Sequence, residues 1–194
     1  MTAIWLTADL HLGHEFVAKM RGFDNSAHHD CHVETQWLRR VKPTDDVFVL
    51  GDFALGGWRD HINPFSHWPG RKHLILGNHD RAHPMHRNSH KYVDEFLAAF
   101  DSVQLHGSVR HSGRTFLLSH FPYDGDHVDE GDRYSQWRLR DMQAPLIHGH
   151  THSPEKVSRS HEYSYQVCVS LDAWNMAPVS LGEVAALVPS NTGP

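Results

Sequence analysis

Five short apolar runs of the sequence each end at side chains that can bind a metal ion or move a proton. In the clearest of them, residues 74–80 (LILGNHD), three aliphatic residues are followed by glycine and then by amide, imidazole and carboxylate groups. Such runs are typical of buried strands, and open α/β sheets bind ligands beyond the carboxyl ends of their strands. We therefore expect the five ends to converge on one pocket. Asp9 and His11 are two positions apart in a segment predicted to be extended, so their side chains should point to the same side and could share one ion. The side chains at the five ends are Asp9 and His11, Asp52, Asn78 and His79, His120, and His150 and His152.

The donor atoms of this set favour a pair of first-row divalent metal ions. Imidazole, carboxylate and amide oxygen together suit manganese, iron or zinc better than calcium. Without His79 the set still offers seven ligands, more than the roughly four to six that one small ion takes. A second ion that shares the Asp52 carboxylate resolves the count. Two divalent ions opposite Asp9 and Asp52 would leave a formal charge of about +2, which attracts phosphate.

The length and the order of the apolar patterns predict one α/β domain. The chain has 194 residues, of which 39% are hydrophobic, enough for a substantial core. We assign residues 1–188 to this domain and residues 189–194 to a flexible tail. Strand-like and helical patterns alternate up to Phe100, after which short strands follow, the last two near residues 163–170 and 183–188. A helix is predicted from Ala82, with Asp80 either as its cap or as a support for His79.

Charge and cysteine content argue against several classes of partner. The formal net charge of −5 gives no basic field, so no stable nucleic-acid complex is expected. Cys31 and Cys168 form neither a disulfide framework nor a metal-type spacing, which fits a reducing cytoplasm. No apolar segment of about 18 residues could span a membrane, and no signal peptide is expected. We expect a cytoplasmic protein whose partner is a small phosphoester, and the oligomeric state is left open.

The residues at the five ends resemble the motifs of the calcineurin-like metallophosphoesterase superfamily, in that family's order. They read as D-x-H at 9–11, G-D at 51–52, G-N-H-D at 77–80, H at 120 and G-H-x-H at 149–152. Residues 7–14, 172–175 and 178–180 are similar to its compact single-domain bacterial and phage members. The resemblance implies an α/β fold, a four-layer α-β-β-α sandwich of two mixed β-sheets flanked by helices, with a dinuclear metal centre at one edge.

The resemblance also implies a role for each residue. In this family the residue at the position of His79 protonates the leaving oxygen, while a hydroxide held between the metals attacks phosphorus in line. Asn78, His79 and His14 are candidate substrate contacts, although His14 could equally support a ligand or close the turn after Gly13. Manganese is the preferred metal, with iron, zinc, nickel and cobalt as alternatives. The implied ligand sets are Asp9, His11, Asp52 and His152 for one ion, and Asp52, Asn78, His120 and His150 for the other.

The resulting hypothesis is a phosphodiesterase for small phosphodiesters, with cyclic nucleotides as candidates and the 2′,3′-cyclic form ahead of the 3′,5′-cyclic form. A diester monoanion with hydroxide balances the charge of the site, whereas a monoester dianion usually needs an arginine. Phosphomonoesterase, nucleotide pyrophosphatase and a non-catalytic interaction scaffold remain alternatives. The D-R-G continuation typical of Ser/Thr protein phosphatases is absent after Asp52, and the sequence adds no nuclease-capping domain, so both of those activities are disfavoured.

The remaining charged groups are expected to be ordinary surface residues. The chain has 20 histidines, and a histidine taken at random is far more often solvated than a ligand. We call residues 122–136 the acidic loop and expect its carboxylates to form a solvated rim: Asp124, Asp126, Asp129, Glu130 and Asp132. The surface assignment covers His28, His29, His61, His67, His86, His90, His106, His111, His127, His148 and His161, together with Arg81.

Overall fold

Two five-stranded sheets make up the β structure of the computed structural model, which describes residues 2–126 and 131–189. A two-residue strand, β10 (Val179–Ser180), pairs antiparallel with β1 at one edge of the first sheet. The other strands of this sheet are parallel, so the residues that follow them emerge at the same edge. These strands are β1 (Ile4–Thr7), β2 (Asp46–Val49), β3 (Arg71–Ile75) and β4 (Ser102–Gln104), in chain order.

The second sheet has a parallel centre and antiparallel edges. Its order is β5-β6-β7-β9-β8, in which β6, β7 and β9 are parallel while β5 and β8 each pair antiparallel with a neighbour. The ends of β6 and β7 therefore also point one way. The strands are β5 (His106–His111), β6 (Arg114–Ser119), β7 (Leu146–His148), β8 (Val157–Arg159) and β9 (Tyr165–Cys168).

In the part of the chain that the structure describes, five α-helices accompany the sheets. The longest, α2, begins after Asn25, whose side chain accepts a hydrogen bond from the backbone N–H of His28. It buries Val33 and Trp37, which lie one turn apart on the same face. The helices are α1 (Glu15–Met20), α2 (Ser26–Arg40), α3 (Trp58–Ser66), α4 (Val93–Leu97) and α5 (Leu181–Ala186).

Two apolar clusters hold the layers together. One packs α2, α3 and α4 on the outer face of the first sheet, where Trp37, Phe65 and Phe96 meet Val49 and Leu74. The other cluster joins the two sheets, since it contains Leu6 and Ile75 of the first sheet and Phe116, Ile147 and Val167 of the second. Neighbouring residues of β3 point to opposite clusters, as expected for a strand buried on both faces.

The predicted α/β sandwich of two mixed sheets flanked by helices is confirmed. The strand predicted at residues 183–188 is wrong, because residues 183–186 belong to α5 and residues 187–188 form a turn. The side chain of Ser180 accepts a hydrogen bond from the Glu183 N–H while the Glu183 carboxylate accepts one from the Ser180 N–H, a capping box that starts a helix. The helix predicted from Ala82 is also wrong, since residues 81–88 form turns.

Some surface assignments are wrong as well. His29 and His148 are buried, the first on the inner face of α2 and the second at the end of β7. The tail from residue 190 onward, and His127, Asp129 and Glu130, lie outside the part of the chain that the structure describes. Among the described residues, no helix is both long and apolar enough to cross a membrane.

Candidate metal centre

The segments that follow β1, β2, β3, β6 and β7 meet at one edge of the sandwich. The backbone N–H of His11 donates to the carbonyl of Asp52 at 2.9 Å, and the N–H of Gly149 donates to the carbonyl of His120 at 3.0 Å. The two sheets are joined at this edge by Asp9, whose carboxylate accepts a bond from the His150 N–H at 3.0 Å and a short one from the Ser170 hydroxyl. The structure thus brings together the residues that the sequence spreads over the whole chain.

A first group of possible ligands consists of Asp9, His11 and His152, whose nearest donor atoms all lie within 4.8 Å of one another. The Nε2 atoms of His11 and His152 are 3.1 Å apart. The His152 Nε2 lies 3.9 Å from the Asp9 carboxylate. Two imidazole nitrogens and a carboxylate oxygen converging in this way fit a bound divalent cation.

A second group consists of Asp9, Asp52 and His120. The His120 Nε2 lies 3.0 Å from the Asn78 side-chain oxygen, so Asn78 belongs to this group too. The Asp52 Oδ2 atom is 3.6 Å from the His120 Nε2 and also 3.6 Å from the His11 Nε2. Asp52 therefore lies between the two groups, as a shared ligand must.

His150 lies beside the second group, and the carboxylate nearest to its Nε2 among the described contacts is that of Asp126. Its ring centroid is 5.2 Å from that of His120, and its Nε2 lies 3.2 Å from the Asp126 carboxylate. If Asp126 takes the Nε2 side of the ring, Nδ1 is the nitrogen that would bind an ion. His150 as a metal ligand therefore stays a prediction, and its partner in the acidic loop was not predicted.

The backbone of these residues is unusual. Asp9, His11 and Asp52 have φ values of 57°, 47° and 53°, and His150 and His152 have 69° and 49°. These are left-handed conformations that non-glycine residues rarely adopt, and they concentrate at functional sites. The extended segment predicted for Asp9 and His11 is therefore wrong, although the two side chains do share a site.

The outer nitrogen of two ligand histidines is fixed by a hydrogen-bond acceptor. The Nδ1 of His120 lies 2.8 Å from the Leu50 carbonyl, and the Nδ1 of His152 lies 3.1 Å from the Asp172 carboxylate. Asp172 in turn accepts bonds from the Arg21 guanidinium at 2.7 and 3.0 Å. Metal-binding histidines are held in this way, because the acceptor fixes the tautomer and the ring orientation.

Burial sets the electrostatics of the centre. It raises the pKa of Asp9, and it raises that of Asp52 to about 7. It also lowers the pKa of His11 and of His120. For His152 burial opposes protonation, yet the carboxylates of Asp9 and Asp172 outweigh it and raise the pKa. Divalent ions would favour the ionised carboxylates and neutral imidazoles, so the residues present fit such ions.

Asp80 holds the loops after β2 and β3 together. It neither caps a helix nor bonds to the His79 side chain among the described contacts. Instead its buried carboxylate accepts backbone N–H bonds from Gly77 at 2.8 Å and from Asp52 and Phe53 at 3.1 Å. Burial and the neighbouring Asp52 raise the pKa of Asp80 to about 7, while the three donors lower it. The role of Asp80 is thus to fix Asp52.

His79 and His14 line an open cleft above this centre. The side chain of His79 is 43% exposed, and its Nε2 lies 3.9 Å from the Asp52 carboxylate. The ring of His14 is 5.5 Å from that of His11, and its Nδ1 is buried with no hydrogen-bond partner among the described residues. The cleft has a volume of about 580 Å³ and also contains Arg133 and Tyr134. A larger cleft of about 730 Å³ elsewhere contains none of the predicted ligands.

The sequence did not indicate the residues that support the ligands. Asp126 is not a solvated rim residue, because its side chain is 1% exposed and pairs with Arg133 and Arg138 at 2.9 and 3.2 Å. Arg21 also donates to the Asp9 carbonyl at 2.9 Å. The sequence DAWN at 172–175 was a signal for Asp172, but no pattern marks Arg21.

Comparisons with known proteins place this chain in a family. No family model matches the sequence. The Gene 66 protein of Mycobacterium phage L5 is 43% identical over 199 residues, covering 97% of this chain and 95% of the relative. That of Mycobacterium phage D29 is 41% identical over 198 residues, covering 97% and 96%. A solved structure of a protein of unknown function from Aquifex aeolicus, 22% identical, has the same fold, with a TM-score of 0.71 over 97% of this chain and 100% of that one. From the two phage relatives, the chain belongs to the family of the mycobacteriophage Gene 66 proteins.

Proposed function

We propose that the protein is a metal-dependent phosphodiesterase that hydrolyses small phosphodiesters. The position of Asp52 carries the proposal, since its Oδ2 lies 3.6 Å from one histidine of each ligand group. A carboxylate shared by two groups supports a dinuclear centre, and such centres are used to displace groups at phosphorus. Asp9, His11, Asp52 and His152 would hold one ion, and Asp52, Asn78, His120 and His150 the other.

The bound ions would supply Lewis-acid activation and neutralise the phosphate charge. Manganese suits the mixed nitrogen and oxygen donors, and iron, zinc, nickel and cobalt are compatible with them. The chain's own part is to orient the donors through Asp172, Asp126 and the Leu50 carbonyl. The free thiols of Cys31 and Cys168 support a cytoplasmic location as part of this proposal.

His79 is the proposed general acid for the leaving oxygen. Its side chain lines the cleft with 43% exposure and lies close to the ligand groups, and its backbone N–H donates to the Asp52 carboxylate at 2.9 Å. Burial lowers its pKa, but an anionic phosphate beside the ring favours the protonated form. Substrate binding would thus charge the acid where it is needed.

The cleft also bears on the choice of ester. A diester monoanion fits the charge balance, and a cleft of about 580 Å³ has the size of a small-molecule site, which suits a cyclic nucleotide. Arg133 lines the cleft and favours the alternative, a monoester or a nucleotide pyrophosphate, because such dianions need an arginine. Its ion pair with Asp126 balances that charge, so we keep the diester first.

The decisive experiment compares bis(4-nitrophenyl) phosphate with 4-nitrophenyl phosphate after chelation and reloading with manganese. We expect faster turnover of the diester and none with Asp52→Asn. Equal or better turnover of the monoester would overturn the diester preference. If the manganese-loaded protein hydrolyses neither compound nor any of the 2′,3′-cyclic, 3′,5′-cyclic and linear nucleotides, the scaffold alternative holds instead.

A further inference from the structure

One wall of the cleft is apolar although hydrolysis does not require it. Phe16 and Met20 lie four residues apart on α1, so they share a face of the helix. Both line the cleft, and they are 66% and 70% exposed. A single exposed apolar residue is ordinary on a protein surface. Two large ones on the same helix face at the mouth of a polar site indicate a contact surface for an apolar part of a ligand.

A series of rings leads from the ligand groups to this wall. The ring of His14 is 5.5 Å from that of His11, and the ring of Phe16 is 6.4 Å from that of His14. Phe16 is thus two ring contacts away from a predicted metal ligand. If the phosphate of a ligand lies over the centre, a group separated from that phosphate by about one sugar ring would reach Phe16.

Tyr134 gives the same cleft a second aromatic wall. Its ring lies 5.8 Å from that of His150 and 5.3 Å from that of Phe121, on the side of the second ligand group. Its φ of 60° is uncommon for a bulky residue, and the backbone is held there by the N–H of Trp137, which donates to the Tyr134 carbonyl at 2.8 Å. Strained residues persist where the surrounding contacts fix them, often at ligand sites.

We infer that Phe16 and Met20, with Tyr134 in the same cleft, form a subsite for the planar base of a nucleotide diester. The inference rests on the proposed function, since the phosphate must lie over the metal centre. An aromatic face stacks on any base, and the methionine sulfur makes favourable contacts with aromatic rings. A base-free diester would leave this wall exposed. A protein partner fits less well, because the apolar area is far smaller than a stable protein interface.

The test uses two five-membered cyclic diesters, adenosine 2′,3′-cyclic phosphate and glycerol 1,2-cyclic phosphate, of which only the first has a base. With manganese-loaded protein, we expect Phe16→Ala to lower kcat/KM for the adenosine ester about tenfold, the size of one stacking contact. The loss should be at least about fivefold larger than that for the glycerol ester. Met20→Ala should show a smaller bias in the same direction, and Phe16→Trp should restore turnover.

Matched controls are Tyr163→Ala and Met142→Ala, which remove comparably exposed side chains outside the cleft. Neither control should change kcat/KM for either ester. If Phe16→Ala affects both esters equally or neither, the subsite is refuted while the hydrolase stands. If neither ester is hydrolysed, the proposed function fails and calorimetry tests the subsite separately. Adenosine 5′-monophosphate should then bind the manganese-loaded wild type about tenfold more tightly than Phe16→Ala, with inorganic phosphate as reference, and equal binding refutes it.

Discussion

Asp52 lies between the two ligand groups, and one of its carboxylate oxygens is close to both. Oδ1 accepts the backbone N–H of His79, and Oδ2 lies at 3.6 Å from both His11 and His120. Burial raises the pKa of this carboxyl to about 7 and so favours its neutral form when no cation is bound. Divalent ions would keep it ionised, so Asp52 is the residue whose substitution separates metal binding from general stability.

Replacement of His79 by alanine should separate the chemistry from the metals. We expect an unchanged manganese content, because His79 is absent from both ligand groups. Turnover should fall about 10²–10⁴-fold for esters with poor leaving groups, and least for nitrophenyl esters, which need no proton. Metal analysis and a series of leaving groups measure both effects. His90→Ala, an exposed histidine, is the control, and equal turnover of a poor leaving group would remove His79 from the mechanism.

Asp172 should matter for metal affinity although it is not a ligand. Burial alone would raise its pKa, yet the bonds from His152 and Arg21 hold it well below its usual range. Asp172→Asn loses the charge that fixes the His152 tautomer, so manganese should bind about 10–100-fold more weakly. Calorimetric titration of metal-free protein measures this, with the exposed Asp94→Asn as control. Affinities equal to the wild type would show that Asp172 does not position His152.

The convergence of the candidate ligands could be predicted from the sequence, and the residues that support them could not. Side chains such as Asn78 and His120 follow apolar runs in an order that few folds would produce by chance. Arg21 is 151 positions from Asp172 and becomes meaningful only when α1 packs against the segment after β9. His29 was expected at the surface, but it is buried with its Nε2 3.0 Å from the Arg21 guanidinium. The type of a single residue does not indicate which distant residue it will contact in the fold.

At the scale of elements, the loops rather than the strands determine the geometry. Alternation in an extended strand was expected to place Asp9 and His11 on one side, whereas two left-handed turns do so. Apolar periodicity predicts strands because burial creates it, but it contains nothing about the turn that follows. The same limit explains why a strand was predicted where α5 forms, because a short apolar pattern fits either a strand or a helix. The capping box of Ser180 and Glu183 was the signal in the sequence that favoured the helix.

Gly77 allows the loops after β2 and β3 to approach each other. A Cβ at this position would lie 2.5 Å from the Asp52 backbone nitrogen and 2.9 Å from the Gly51 Cα, closer than real contacts. Gly77→Ala should therefore cost about 1–3 kcal/mol of unfolding free energy and weaken manganese binding, because Asp52 must move. Urea unfolding and metal titration measure the two effects. In Gly182→Ala the nearest atom to the new Cβ is at 3.8 Å, so this helix variant should be neutral or stabilising, and similar losses in both variants would contradict the account.

At the scale of the whole molecule, buried histidines make stability depend on pH. His83 is fully buried, and burial lowers its pKa to about 4. Because the unfolded value is near 6.5, the unfolded chain binds the proton first, and stability is lost as pH falls from 6.5 toward 4. Between pH 7.5 and 5 this loss is about 2 kcal/mol. Between pH 7.5 and 5, metal-free His83→Gln should lose about 2 kcal/mol less unfolding free energy than the metal-free wild type, measured by urea unfolding. The raised pKa values of Asp52 and Asp80 change stability in the opposite direction, but they do so in both proteins. An identical pH dependence would contradict the buried neutral state.

The candidate metal centre also lies between the two sheets of the molecule. Asp9, His11, Asp52 and Asn78 follow strands of the first sheet, and His120, His150 and His152 follow strands of the second. Ions bound by both sets can bind only the folded chain, so they add about 2.7 kcal/mol at a free concentration of 100 times Kd.

For a protein of this size, that energy should raise Tm by about 5–10 °C when manganese is added to chelated protein, measured by calorimetry. Asp52→Asn should abolish most of the shift because it removes the shared oxygen, whereas Asp94→Asn on the surface of α4 should retain it. A full shift in Asp52→Asn would mean that the stabilising ions bind elsewhere. The coupling between the two sheets would then come from the apolar cluster and from hydrogen bonds such as that of the His150 N–H to Asp9.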